Sequence, residues 1–199
     1  MYSSYIWSLP TKEKILYLTF DDGPHETATP FVLDELKKYG AKATFFCIGK
    51  NVVNHPAIYR RIKEEGHAVG NHTYNHLNGW KTDDTVYISD IIKASEQIDS
   101  RLFRPPYGRI KKFQARILQR DINAAHRLFS IIMWDVLSGD FDVDLSPQKC
   151  LSNVIDKAVN GSIVVFHDST KAWSCMSYAL PKVLAHFAEK GFSFDVLKG

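Results

Sequence analysis

Short apolar runs alternate with longer amphipathic ones along almost the whole chain, and no other feature restricts the fold as much. Ile15-Leu16-Tyr17-Leu18-Thr19-Phe20 is apolar and β-prone, and the turn signal Asp21-Asp22-Gly23-Pro24 stops it. Phe31, Val32, Leu33 and Leu36 follow at helical spacing and end at Tyr39-Gly40, a C-cap pattern. The same reading places strands at 43–48, 67–70, 101–104, 127–134, 163–166 and 192–194. Helices are expected over 56–65, 83–100, 111–120, 147–159 and 178–190, with Ser146 as the N-cap of the fourth. Seven strands separated by helices are the mark of parallel βα units. The strands are nearly unbroken apolar runs, as expected where helices cover both faces of a sheet. An open doubly wound sheet and a closed barrel both satisfy this alternation.

At 199 residues the chain has the size of one domain, spanning 1–199, and no Pro/Gly/Ser-rich linker divides it. Against 25 Lys and Arg stand 22 Asp and Glu, a net charge of +3. That bias is too small to indicate nucleic acid or an anionic membrane as partner. No window reaches the roughly 18 consecutive apolar residues that cross a bilayer. The first ten residues have no basic start and no apolar stretch, so they do not read as a signal peptide. As it stands the sequence reads as cytoplasmic; a preceding leader would place it in the cell envelope or outside. Cys47, Cys150 and Cys175 are too few and too scattered for a disulfide framework or a thiolate zinc site, and Cys47 sits in an apolar strand as a core thiol. The sequence does not set the oligomeric state.

The informative polar residues lie just past the strands. Asp21 and Asp22 follow the first, His72 and His76 the third, Arg104 and Tyr107 the fourth, Asp135 and Asp140 the fifth, and His167-Asp168 the sixth. In parallel βα architectures all these strand ends open on one face, where active sites are built. Two imidazoles four residues apart point the same way on a helical turn and can share a metal. Two His and one Asp form a common ligand set for a catalytic divalent ion, and Asp21 or Asp22 can supply the carboxylate. The other aspartate then remains free as a base. His167, with an ordinary pKa of about 6.5, suits proton donation at neutral pH. Trp80 and Trp173 fall in loops after strand ends, either stacking on a ligand ring or buried in the rim. His67 reads as structural, and His55, His126 and His186 as surface positions.

Together these segments resemble the polysaccharide deacetylase family, the NodB-homology domain of carbohydrate esterase family 4. Five motifs carry the likeness: Thr19-Phe20-Asp21-Asp22-Gly23-Pro24, His72-Thr73-Tyr74-Asn75-His76, Arg104-Pro105-Pro106-Tyr107, the segment from Val136 to Phe141, and Val165-Phe166-His167. The resemblance covers roughly residues 15–194 and implies an irregular (β/α)7 barrel, a distorted TIM-like α/β fold. It implies a metal-dependent hydrolase that removes N-acetyl groups from N-acetylglucosamine-containing glycan. By the same resemblance Asp22, His72 and His76 hold one divalent ion, zinc with cobalt or nickel as substitutes. Asp21 is similar to the family's catalytic base and His167 to its general acid. Arg104 is similar to the arginine that holds the base, Asp140 to the aspartate that orients the acid. The backbone N–H of Tyr107 corresponds to an oxyanion donor, and Val165, Phe141 and Trp173 are placed against substrate. The chain departs from the pattern at Phe141, where the family commonly has Trp, and at Val165, where Leu is typical. Both departures bear on substrate choice and leave every ligand and acid/base group in place. Two other readings use the same scaffold: an O-acetylxylan esterase or small-molecule amidohydrolase, and an inactive glycan-binding module, which loss of Asp21 or His167 would signal.

Overall fold

The computed structural model describes residues 5–119 and 128–198. The chain alternates strands and helices: β1 (Ile15–Asp21), α1 (Ala28–Lys38), β2 (Thr44–Cys47), α2 (Gly49–Asn54), α3 (Pro56–Glu64), β3 (Ala68–Asn71), α4 (Asp84–Ser95), β4 (Leu102–Phe103), α5 (Lys112–Gln119), β5 (Ser130–Ile131), β6 (Val136–Leu137), α6 (Pro147–Ile155), β7 (Ile163–His167), α7 (Trp173–Glu189) and β8 (Ser193–Phe194). Seven strands form one curled path in the order β5-β4-β3-β2-β1-β7-β6, and β8 adds to the start of β1. The pairings along this path, and that of β8, are all parallel. Among the described residues β5 and β6 do not pair, so the sheet is a half-barrel rather than a closed ring. The N-terminal segment spans that opening. Ile6 pairs in parallel with Ile132 just past β5, and Ser8 pairs antiparallel with Ser162 just before β7. This is the irregular barrel that the alternation of strands and helices leaves open as one of two choices.

Period-2 alternation explains how β1 and β7 serve both core and site. On β1, Leu16, Leu18 and Phe20 turn out toward the helices and join the main core with Val32, Leu36, Leu180 and Leu184. Phe20 stacks between Phe45 and Phe166, with ring centroids 5.1 and 6.0 Å away. The intervening residues Tyr17, Thr19 and Asp21 face the barrel interior, where Tyr17 packs against Phe46, Leu102, Ile132 and Ile163. On β7, Val164 and Phe166 face the helices, and Val165 and His167 face the interior. The register sets Asp21 beside both Phe46 and His167, so the polar tips of β1 and β7 sit at one level.

The observed elements refine the expected ones. The helix expected over 83–100 stops at Ser95. Ile98 keeps the apolar spacing, but the N–H groups of Gln97 and Ile98 both donate to the Ala94 carbonyl, which tightens and closes the helix. Its start is capped by Asp83, whose carboxylate accepts from the Thr85 and Val86 N–H groups. Ser146 caps α6 by accepting from the Lys149 N–H at 3.2 Å, as expected from sequence. That helix ends at Ile155, and α7 begins at Trp173, five residues before the expected start. The strand expected over 127–134 is only Ser130–Ile131; residue 127, the last helical residue expected near 120, and His126 lie outside the described residues. An eighth strand, β6, and the short α2 have no counterpart in the sequence reading. His55 and His186 are half-buried rather than on the surface. His67 is buried, and its Nδ1 accepts from the Ala43 N–H.

Candidate active site

The C-terminal ends of the strands enclose a cleft of about 440 Å³. Of the residues named from sequence, Asp21, Asp22, His72, His76, Tyr107, Phe141, Val165 and His167 line it. Arg104 and Asp140 stand one layer behind, both essentially inaccessible. Arg109, Trp134 and Lys171 also line the cleft and were not singled out from sequence. Trp173 does not line it: its ring packs edge-on against Phe31 at 5.2 Å, at the start of α7. Trp80 is 60% exposed, donates from Nε1 to the Ile110 carbonyl, and lies under the Arg109 guanidinium at 5.3 Å. Asp135 leaves the site altogether. It accepts from the Ile163 N–H and the Ser162 hydroxyl, fixing the start of β7, at the opposite end from His167.

Asp22, His72 and His76 bring one ligand atom each within 4.8 Å of one another. His72 and His76 do not sit on a helical turn. They bracket an irregular loop in which Thr73 and His76 are left-handed, with φ of 64° and 57°. Asp90 of α4 holds that loop by accepting from the Tyr74 and Asn75 N–H groups at 2.9 Å each, and Asn71 accepts from Thr73 N–H at 2.8 Å. The rings still meet at 5.1 Å. His72 Nδ1 lies 2.7 Å from the Arg104 carbonyl. A carbonyl only accepts, so Nδ1 carries the proton and Nε2 keeps its lone pair. Burial lowers the His72 pKa to about 4, which keeps the ring neutral at physiological pH. Asp22 Oδ1 is buried and lies 3.1 Å from His76 Nε2 and 3.7 Å from His72 Nε2 without an aligned hydrogen bond. Burial opposes ionisation of Asp22, but the His76 ring and the charge of His167 outweigh it and hold the carboxyl below its usual range. A buried, unsatisfied carboxylate oxygen beside two neutral-capable nitrogens is a donor set suited to a divalent cation.

Asp21 and His167 flank this cluster, each held by a buried partner. Arg104, fully buried, donates through Nη1 to Asp21 Oδ1 and to Thr19 Oγ1, both at 2.7 Å. Its other nitrogens donate to the Ile132 and Met133 carbonyls, and its guanidinium lies 4.1 Å from the Phe46 ring centroid. His167 donates from Nδ1 to Asp140 Oδ1, and its backbone N–H donates to Asp140 Oδ2, both at 2.7 Å. Burial alone would lower the His167 pKa; the Asp140 charge and hydrogen bond, with Asp21 and Asp22 behind them, raise it to about 9. Asp140 reaches that position from the turn after β6, where Gly139 takes φ 79°. Phe141, 37% exposed, stands edge-on to the His167 ring at 5.2 Å. Tyr107 takes φ 61° inside a short 3₁₀ turn, its ring 60% exposed and 4.7 Å from His76.

Residues 8–124 match the polysaccharide deacetylase family. The chain belongs to the polysaccharide deacetylase family. A peptidoglycan-N-acetylglucosamine deacetylase of Bacillus cereus is 35% identical across 98% of this chain and 70% of its own length. A chitooligosaccharide deacetylase of Azorhizobium caulinodans is 35% identical over 77% of this chain and 73% of that protein. Among solved structures, a peptidoglycan N-acetylglucosamine deacetylase in complex with 4-naphthalen-1-yl-N-oxidanyl-benzamide superposes with a TM-score of 0.87 at 34% identity, over 97% of this chain and 90% of that one. Membership makes this chain a hydrolase of the polysaccharide deacetylase class, on the barrel characteristic of it.

Proposed function

We propose that this deacetylase removes the N-acetyl group from N-acetylglucosamine units of a glycan, with Asp21 as base and His167 as acid. The observation that carries the reading is register. Asp21 and His167 are partners across β1 and β7, and the Asp22–His72–His76 cluster opens into the same cleft. The relatives above are deacetylases of peptidoglycan and of chitooligosaccharide, both acetylated glycans.

Asp22, His72 and His76 would hold one divalent ion, with zinc the choice that this ligand set favours. When bound, such an ion supplies a Lewis acid that polarises the acetyl carbonyl and acidifies water. Asp21 takes the proton from the attacking water. Arg104 fixes the carboxylate of that base through Oδ1 and leaves its second oxygen for the proton. The N–H of Tyr107, at the cleft wall, faces the negative charge that grows on the acetyl oxygen. An amine leaves only once protonated. His167 provides that proton, since Asp140 occupies its Nδ1 and holds the ring charged at neutral pH. Val165 and Leu137 supply apolar surface for the acetyl methyl, and Phe141 and Tyr107 flank the sugar.

The test is acetate release by the zinc-loaded protein from N-acetylglucosamine oligomers, peptidoglycan, acetylxylan and small amides, with His72→Ala as control. Release from an N-acetylated glycan that the control lacks supports the reading. No release from any sugar overturns it, and release from acetylxylan or a small amide alone moves the activity to that substrate.

A further inference from the structure

Asp168 follows the acid histidine, yet it faces away from the cleft and is fully buried. The alternation of β7 requires this: His167 points inward, so the next side chain points behind the turn that carries Asp22. There it has a defined set of partners. Its Oδ1 accepts from the Gly23 N–H at 3.0 Å, and its Oδ2 accepts from the Thr29 hydroxyl in a short contact. Its own N–H donates to the Asp21 carbonyl at 3.1 Å. One residue therefore holds the backbone immediately before and immediately after Asp22. The fit is close: a Cβ added to Gly23 would stand 2.1 Å from Asp168 Oδ2.

Asp22 itself sits in a conformation that needs such support. Its φ is 82°, left-handed, a conformation that a non-glycine residue keeps only where the surroundings impose it. Asn51 adds to the restraint by donating to the Asp22 carbonyl at 2.7 Å, and Ile48 by donating to the Gly23 carbonyl at 2.9 Å. Neither reaches the N–H of Gly23. The Thr29 hydroxyl is in turn placed by accepting the His25 N–H at 2.7 Å, which ties the clamp to the first turn of α1.

We propose that Asp168 is a positioning residue for the metal ligand Asp22: its carboxylate, anchored by Thr29, locks the 21–23 turn so that Asp22 meets His72 and His76. The inference rests on the reading of that cluster as the metal site, and goes beyond it by assigning the buried residue that sets one ligand's geometry. Removing partners that orient a metal ligand typically lowers affinity 10–100-fold.

The experiment is a zinc titration against a competing chelator, paired with the visible spectrum of the cobalt-substituted protein and circular dichroism for folding. Asp168→Ala should lose 10–100-fold in zinc affinity and change the cobalt spectrum. Asp168→Asn keeps an oxygen for the Gly23 N–H and should recover most of that loss. Asp135→Asn, which loosens the far end of β7, is the structural control and should leave affinity and spectrum as in the wild type. Unchanged affinity in Asp168→Ala, or a loss no larger than that of Asp135→Asn, overturns the proposal. If Asp168→Ala does not fold, Thr29→Val decides: a severalfold loss supports the clamp, wild-type affinity overturns it. A wild-type protein that binds no zinc overturns the metal-site reading and the clamp together, whereas equal binding by wild type and Asp168→Ala overturns the clamp alone.

Discussion

Two walls of the cleft each hold a reactive group by a 2.7 Å bond to a buried partner of opposite charge, and they do so with inverted chemistry. On the β1 side the member that lines the cleft is a carboxylate, Asp21, and the one behind it a guanidinium. On the β6–β7 side the member that lines the cleft is an imidazole, His167, and the one behind it a carboxylate. Arg104 is charged at any physiological pH and spreads its donors over Thr19, Asp21, Ile132 and Met133, so its wall is a structural hub. Among the described residues Asp140 accepts from the ring and the backbone N–H of His167, so its wall mainly tunes one ring. Two equally short ion pairs in one site thus serve different ends, one setting geometry and the other setting proton affinity.

Perturbing each wall separates those ends. Asp21→Asn keeps the shape of the first wall and removes the proton acceptor. Turnover should fall roughly 10²–10⁴-fold while zinc affinity stays near that of the wild type, measured by acetate release and chelator competition. Near-wild-type turnover would mean that the base lies elsewhere. Arg104→Met strips the hub and leaves Asp21 buried without its cation. The expected cost is about 3–5 kcal/mol, read by thermal or urea denaturation. A loss below 1 kcal/mol would contradict the structural role given to Arg104.

On the second wall, Asp140→Asn should act on pH dependence rather than stability. With the Asp140 charge present the His167 pKa lies at about 9; without it, burial dominates and the value falls toward or below about 6.5. A general acid must be protonated to act, so the alkaline limb of the rate profile moves to lower pH, while the acid limb stays in place. An alkaline limb unmoved by the substitution would detach Asp140 from His167. Phe141→Ala should be the mildest change. An edge-on aromatic contact contributes about 0.5–1.5 kcal/mol, so a severalfold rise in KM with a small change in kcat is expected.

The sequence was most legible where one residue type has one job. Strand ends carrying Asp21, Asp22, His72, His76, Arg104, Tyr107 and His167 are readable because an apolar run followed by ionisable groups has no packing explanation. Fold class was legible for the same reason, as period-2 and period-3.6 patterns alternate. What escaped depends on tertiary contacts. The loop between His72 and His76 is shaped by Asp90, an α4 residue that reads as an ordinary polar helix position. Strand β6 is two residues long, too short for any period to register. Trp173 looked like a loop aromatic because the helical pattern strengthens only after it, whereas the structure seats it on Phe31. Asp168 was visible as a neighbour of His167, but nothing in the string shows that its side chain faces away from the cleft and grips the Gly23 turn.

The Arg104 hub also has a consequence for the order in which the chain matures. Its side chain reaches Asp21, 83 residues back, and the Met133 carbonyl, 29 residues ahead. The base is therefore held only after three separate strand ends have met, and such long-range closures are the slow part of folding. During refolding, helix content should return first and acetate release last. A chain arrested with β1 or β5 undocked would look largely formed by circular dichroism and yet be inert toward substrate.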